Sequence, residues 1–179
     1  VKTGNKQGKR TLSQKLKKLQ NKRNKLVEEL RYARSAQKRK LLKKILATDA
    51  KISKVQEQLA EEQDKVYIED ALNLLQETRL VYAVTAIGSF FQTADFHPLL
   101  DLTNIKIRFP SGHQSSFNLL EWFNRLSLRE QKLLATRFLS LCRSPSGNTE
   151  LTLPAVGCPK CRKKPPSQTE AIQIRLKKA

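Results

Sequence analysis

Apolar residues return along the first third of the chain at alternating steps of four and three. Leu12, Leu16, Leu19, Arg23, Leu26, Leu30 and Ala33 keep that spacing, and after a one-residue slip near Gln37 it resumes through Leu41, Ile45, Thr48, Ile52, Val55 and Leu59. This is a coiled-coil seam with a stutter. Neither glycine nor proline occurs between Gly8 and Gly88, so nothing in the backbone chemistry breaks a helix there. The seam is weakest at Arg23 and Gln37; a continuous rod and a helical hairpin turning near "RSAQKR" both satisfy it. As a rod, about 50 helical residues would extend ~75 Å. A small domain cannot bury that length, so a partner helix or a long ligand is implied.

Helical spacing continues through the acidic stretch Glu57 to Glu77, where "EEQDKVYIEDALNLLQE" keeps Val66, Ile68, Leu72 and Leu75 close to one face. "RLVYAVTAIGSFF" then reads as a buried helix, with a strand as the alternative because Val81, Val84, Thr85 and Ile87 are β-branched. The loop "QTADFHPLL" ends it at His97 and Pro98. In "NIKIRFPSGHQSSF", Ile105, Ile107 and Phe109 alternate with Lys106 and Arg108, a half-buried strand closed by a turn over Pro110 to Gly112. Two amphipathic helices follow, "FNLLEWFNRL" and "LREQKLLATRFLSLC". Leu119, Leu120, Phe123, Leu126, Leu133, Leu134, Phe138 and Leu141 are their expected core, Trp122 is expected to pack against it, and Ser127 with Glu130 forms a capping box. Beyond Arg143 come five of the seven prolines, and "TELTL" and "AIQIRL" alternate like strands around "GCPKCRKK".

Charge changes the picture of the first helical region most. The formal charge is +19, from 35 Lys and Arg against 16 Asp and Glu. Residues 1–55 carry net +16, residues 56–101 net −7 and residues 102–179 net +10. "SQKLKKLQNKRNKLVEELRYARSAQKRKLLKKIL" holds thirteen basic residues from Lys15 to Lys44 against Glu28 and Glu29 alone. These are Lys15, Lys17, Lys18, Lys22, Arg23, Lys25, Arg31, Arg34, Lys38, Arg39, Lys40, Lys43 and Lys44. A solvated coiled-coil face normally mixes signs, so that Glu and Lys pair across turns. One-signed charge of this density repels itself unless a polyanion neutralises it, which points to nucleic acid as partner. Lysine dominates, so phosphates rather than base edges would be contacted. DNA is favoured over RNA, and self-association through the coiled coil is a second expected partnership.

A membrane partner fits less well. The longest apolar stretch, "LVYAVTAIGSFF", is shorter than the ~20 residues a spanning helix needs, and no signal-peptide pattern opens the chain. An intracellular setting is expected, cytoplasm or nucleoid, or the nucleus in a eukaryote. With no methionine and a first residue Val1, the chain is expected to be a segment of something larger.

The remaining chemistry is sparse. Cys158 and Cys161 in Cys-Pro-Lys-Cys resemble one knuckle of a zinc ribbon, in which two thiolates hold Zn²⁺. A full site needs two more ligands, and Cys142, His113 and His97 are the available ones; zinc, a reduced dithiol and a vacant truncated site all remain open. A disulfide suits an intracellular chain less. "GNKQGKRT" resembles a phosphate loop but has three residues between its glycines and Arg10 where a hydroxyl is required. Asp64, Glu69 and Asp70 could serve as metal ligands, though carboxylates on an exposed helix face need no ion. Neither histidine belongs to a nucleophile motif, and no glycine-flanked nucleophile elbow is present, so no catalytic residue is assigned.

Taken in order, a Lys-rich then Glu-rich coiled coil, the apolar helix "ALNLLQETRLVYAVTAIGSFF", the strand "NIKIRFP" and the helix "LLEWFNRL" resemble the region that accompanies the catalytic core in some bacterial insertion-sequence transposases. The resemblance spans roughly residues 40–126 as a pattern. It implies a DNA-gripping or dimerising part of a DNA-processing enzyme, and carries over none of the family's catalytic carboxylates. Without it the basic arm still stands by itself, and a structural RNA-binding component of a ribonucleoprotein assembly is the alternative reading. The expected fold is mainly α: a flexible basic leader over 1–11, a long basic coiled-coil helix or hairpin over 12–78, a small α+β domain over 79–143, and a Pro-rich tail with a zinc knuckle over 144–179.

Overall fold

The computed structural model describes residues 4–87, 100–108, 114–154 and 171–179. The "QTADFHPLL" loop up to Leu99, the turn over Pro110 to Gly112 with His113, and the pair Cys158 and Cys161 lie outside the described residues. Two compact units divide the chain between Val66 and Tyr67.

The first unit is a helical hairpin. Helix α1 spans Gly4–Tyr32 and α2 spans Ser35–Glu77, with Ala33 and Arg34 between them. Of the two arrangements the seam allows, the break falls where its spacing slips. Burial follows the seam: Leu26, Ile45, Thr48 and Val55 are buried, and Leu12, Leu16, Leu19, Leu30, Leu41, Ile52 and Leu59 are partly buried. Thr48 is the buried polar residue among the described ones, and its hydroxyl donates to the Lys44 carbonyl at 2.8 Å, which offsets the penalty of burying it. Two contacts fix the direction. The Arg23 guanidinium donates to Asp49 at 2.7 Å, and Thr11 and Leu12 line one shallow cavity with Gln58, Glu61, Glu62 and Lys65. Early residues of α1 therefore meet late residues of α2, and the helices run antiparallel. The leader expected to be flexible over 1–11 is helical from Gly4.

The second unit is α+β and begins inside α2, not at residue 79, because Ile68, Ala71 and Leu75 belong to its core. "LVYAVTAI" is strand β1, Leu80–Ile87, which corrects the expected buried helix. The reason is a tertiary partner: β1 pairs antiparallel along its whole length with β5, Ala171–Lys178, and the β-branched residues suit a pleated surface. On its other side β5 pairs antiparallel with β4, Asn148–Pro154, giving the sheet order β1-β5-β4. Segments assigned to a separate tail from residue 144 thus supply the centre and one edge of this sheet. Period-two alternation sends Tyr82, Leu151, Leu153, Ile172, Ile174 and Leu176 into the core. On the opposite face Arg175 donates to Glu150 at 2.6 Å. A separate ribbon pairs β2, Ile105–Arg108, with β3, Gln114–Phe117, and Ile105 and Ile107 are buried as their alternation predicts.

Two helices cover the core. Helix α3, Leu119–Arg125, starts at Asn118, whose side chain accepts from the Glu121 amide at 3.0 Å. Helix α4, Leu128–Arg143, starts with the expected capping box: the Ser127 hydroxyl accepts from the Glu130 amide, and the Ser127 amide donates to the Glu130 carboxylate at 2.9 Å. The Phe123 and Phe138 rings pack in a tilted pair with centroids 6.1 Å apart. Trp122 is partly buried beside Phe117, centroids 6.4 Å apart, as expected of a packing residue. Leu133 departs from the expected core at 61% exposed, because α4 turns Leu134, Ala135 and Phe138 inward instead. After α4 the chain turns so tightly that a Cβ on Gly147 would come 2.7 Å from the Leu141 carbonyl oxygen.

Ile174 sits at the centre of the central strand with no exposed surface. Ile174→Ala should therefore lower the stability of the second unit by about 2–5 kcal/mol, read from denaturant unfolding followed by the fluorescence of Trp122. The capping box makes a separate pH prediction. The Ser127 hydroxyl, then its amide, hold the Glu130 carboxyl below its ordinary value, and Thr103 holds Asp101 low in the same way. A carboxyl depressed by folding stabilises the fold above its unfolded-state pKa and loses that contribution as pH falls through the folded value. Glu130→Gln should flatten the acid limb of the stability profile at and below the ordinary carboxylate range and leave the slope near neutrality unchanged.

Candidate nucleic-acid interface

In an antiparallel helix pair, residues flanking the seam on one side of α1 lie beside those flanking it on the same-numbered side of α2. On one flank, α1 carries Lys15, Lys18, Lys22 and Lys25 at steps of three, four and three. The corresponding flank of α2 carries Lys40, Lys44, Lys51 and Lys54 at steps of four, seven and three, with Ala47 filling the missing step. The cavity shared by Thr11, Gln58, Glu61 and Lys65 belongs to this same flank, and shows that the two sides meet. Arg23 pairs with Asp49 on the other. In this register Lys18 stands level with Lys54, and Lys22 with Lys51.

One face of the hairpin therefore presents eight exposed lysines in two rows, with Glu29 as the acid among them. From the level of Lys15 to that of Lys40 is about 26 Å at 1.5 Å of rise per residue, or roughly one cation per 3 Å. The rows are separated by about the 8–10 Å of packed helices, comparable with the ~10 Å screening length at 0.1 M salt. The lysines accordingly act as one field. Among the described residues, none of the eight lies within ion-pair distance of a carboxylate.

The thirteen basic residues expected to bind are all exposed, but the fold does not gather them all. Lys15, Lys18, Lys22, Lys25, Lys40 and Lys44 share the lysine face. Lys17, Arg31 and Arg39 belong to the opposite face, with the exposed Leu42 and Leu46. Lys43 lies on the outer ridge of α2, and Arg34 and Lys38 sit at the hairpin turn. Two have acidic partners: Arg23 with Asp49, and Arg31 with Glu28 at 3.3 Å. Lys51 and Lys54 were not in the expected set, which ended with the linear basic run at Lys44. The signal for them is present in the sequence, since Lys40, Lys44, Lys51 and Lys54 keep one flank of the seam.

Of the expected metal residues, Cys158 and Cys161 lie outside the described residues and Cys142 lies within them. Cys142 is a free thiol buried in the core of the second unit, in α4 beside Leu139 and Leu141. Among the described residues, no three His, Cys, Asp or Glu side chains group as metal ligands, Asp64, Glu69 and Asp70 included. Among the same residues, no helix is long and apolar enough to cross a membrane.

If the two rows act as one field, replacing one row should be felt by a polyanion on the other. Binding of heparin to the full chain, measured by titration calorimetry, should weaken when Lys15, Lys18, Lys22 and Lys25 become Gln. Lys17, Arg31 and Arg39 changed to Gln should weaken it less per charge removed. No protein-family model, curated protein or solved structure matches this chain.

Proposed function

We propose that this protein binds nucleic acid, duplex DNA foremost, by laying the lysine face of its helical hairpin along the phosphate backbone. The observation that carries the reading is the charge spacing. About one cation per 3 Å of hairpin matches the one phosphate per ~3.4 Å of axis that each strand of a duplex presents. Lysine is a point charge on a flexible stem and lacks the planar fork that reads guanine, so the face grips without choosing sequence. Such contact orients a chain on its nucleic acid and leaves recognition or chemistry to other parts.

The order of elements over residues 40–126, less the expected apolar helix that is partly strand β1 here, supports placing this grip within a DNA-processing enzyme of the insertion-sequence type. The charge field itself would also serve an RNA scaffold, and the two readings part on substrate preference. Zinc at Cys158 and Cys161 is a separate proposal, supported by the Cys-x-x-C spacing alone.

Counterion release gives the test. The logarithm of the binding constant for duplex DNA should fall linearly with the logarithm of salt concentration, with a slope near −0.9 for each phosphate neutralised. Replacing Lys18, Lys22, Lys51 and Lys54 by Gln should reduce the steepness of that slope by about 3 to 4, equally for unrelated sequences. A loss confined to one sequence, or an unchanged slope, would contradict phosphate contact. Tighter binding of structured RNA than of duplex DNA at equal salt would favour the ribonucleoprotein reading.

A further inference from the structure

The hairpin ends in an aromatic residue that packing does not explain. Tyr32 is the last residue of α1 and is 86% exposed. It is also the one aromatic residue in the sequence between Val1 and Val66. A single exposed apolar side chain is ordinary on a protein surface and carries no meaning by itself. Its position does. Counting along the α1 flank, Lys18, Lys25 and Tyr32 follow one another at steps of seven, so the ring closes the lysine row. In the antiparallel register Tyr32 stands level with Lys40 of the other row, and Arg34 follows it in the turn.

A ring at the end of a phosphate-binding track meets whatever the backbone presents there. Paired bases are hidden inside the duplex, whereas an unpaired base offers an apolar face as large as a tyrosine ring. Stacking between the two is tolerant of base identity, which suits a lysine field that does not read sequence. Arg34, two residues on in the turn, and Lys40, level with the ring in the register, would hold the phosphates on either side of the stacked nucleotide. Among the described residues Tyr32 makes no ring stack or hydrogen bond with the protein, so its face is free for a ligand.

We propose that Tyr32 is a stacking platform for an unpaired nucleotide, so that the hairpin binds the junction between a duplex and a single-stranded extension. The lysine rows hold the duplex phosphates and the tip holds the first unpaired base. This rests on the phosphate-binding reading of the lysine face and narrows its substrate class.

The experiment uses the full chain and three oligonucleotides at one salt concentration: a blunt duplex, the duplex with a short unpaired extension, and the same extension lacking its bases. Fluorescence anisotropy should show the base-bearing extension bound about 5- to 150-fold more tightly than the abasic one. Tyr32→Ala should abolish that difference, Tyr32→Phe should keep it, and neither should change binding to the blunt duplex. Because Tyr32 is exposed, neither substitution removes core packing, and circular dichroism of both variants should match the unsubstituted chain. Equal binding of the base-bearing and abasic extensions, or a difference that survives Tyr32→Ala, would overturn the stacking role. The variant with Lys18, Lys22, Lys51 and Lys54 replaced by Gln separates the two readings. If it leaves the blunt duplex unaffected while Tyr32→Ala still abolishes the base-dependent difference, phosphate gripping fails and stacking stands. If it weakens all three and no base-dependent difference exists, stacking fails alone. No binding to any of the three would overturn both.

Discussion

The apolar seam shared by α1 and α2 is the constraint on which the hairpin depends. Leu26, Ile45 and Val55 are buried along it, and each helix alone would leave its stripe in water. Burying a Leu, Ile or Val side chain contributes about 1.5–3 kcal/mol, far more than an exposed ion pair such as Arg23 with Asp49, typically 0–1 kcal/mol. The ion pair therefore marks the register without supplying the stability. Once the seam sets an antiparallel pairing, the positions flanking it are no longer independent. Two lysine rows that are far apart along the chain become neighbours on one face.

That arrangement has an electrostatic cost. Like charges within a screening length of one another repel, and the seam must overcome this repulsion in the absence of any ligand. A polyanion along the face would remove it, so binding and hairpin stability are expected to be linked. The opposite face is built differently, with Leu42, Leu46, Asp49 and uncharged residues separating its cations. The asymmetry is between faces rather than between ends.

Much of this was legible in the sequence. The four-three spacing located the seam, the slip at Gln37 located the turn within a few residues, and Ser127 with Glu130 located the start of α4. These signals are local: a helix period, a cap, an alternation read within a dozen residues. What escaped were consequences of distant partners. Leu80 to Ile87 carries both β-branched residues and a continuous apolar character, and only pairing with the distant β5, Ala171–Lys178, decides for a strand. Leu133 falls on a helix face broader than the core it covers. Lys51 and Lys54 lie beyond the linear basic run that ends at Lys44, and only the hairpin, which sums charge across two helices, adds them to the face.

The most direct measurement is the distance between positions 18 and 54. Spin labels carried there on non-cysteine side chains, which leaves Cys142 in the core undisturbed, would report it by dipolar coupling. The hairpin places the two backbones one helix-packing distance apart, about 8–10 Å, with the labels adding their own reach. A continuous helix would hold them about 54 Å apart at 1.5 Å per residue. A short distance supports the merged lysine face; a distance near the longer value would contradict it and leave the basic residues as a single extended row.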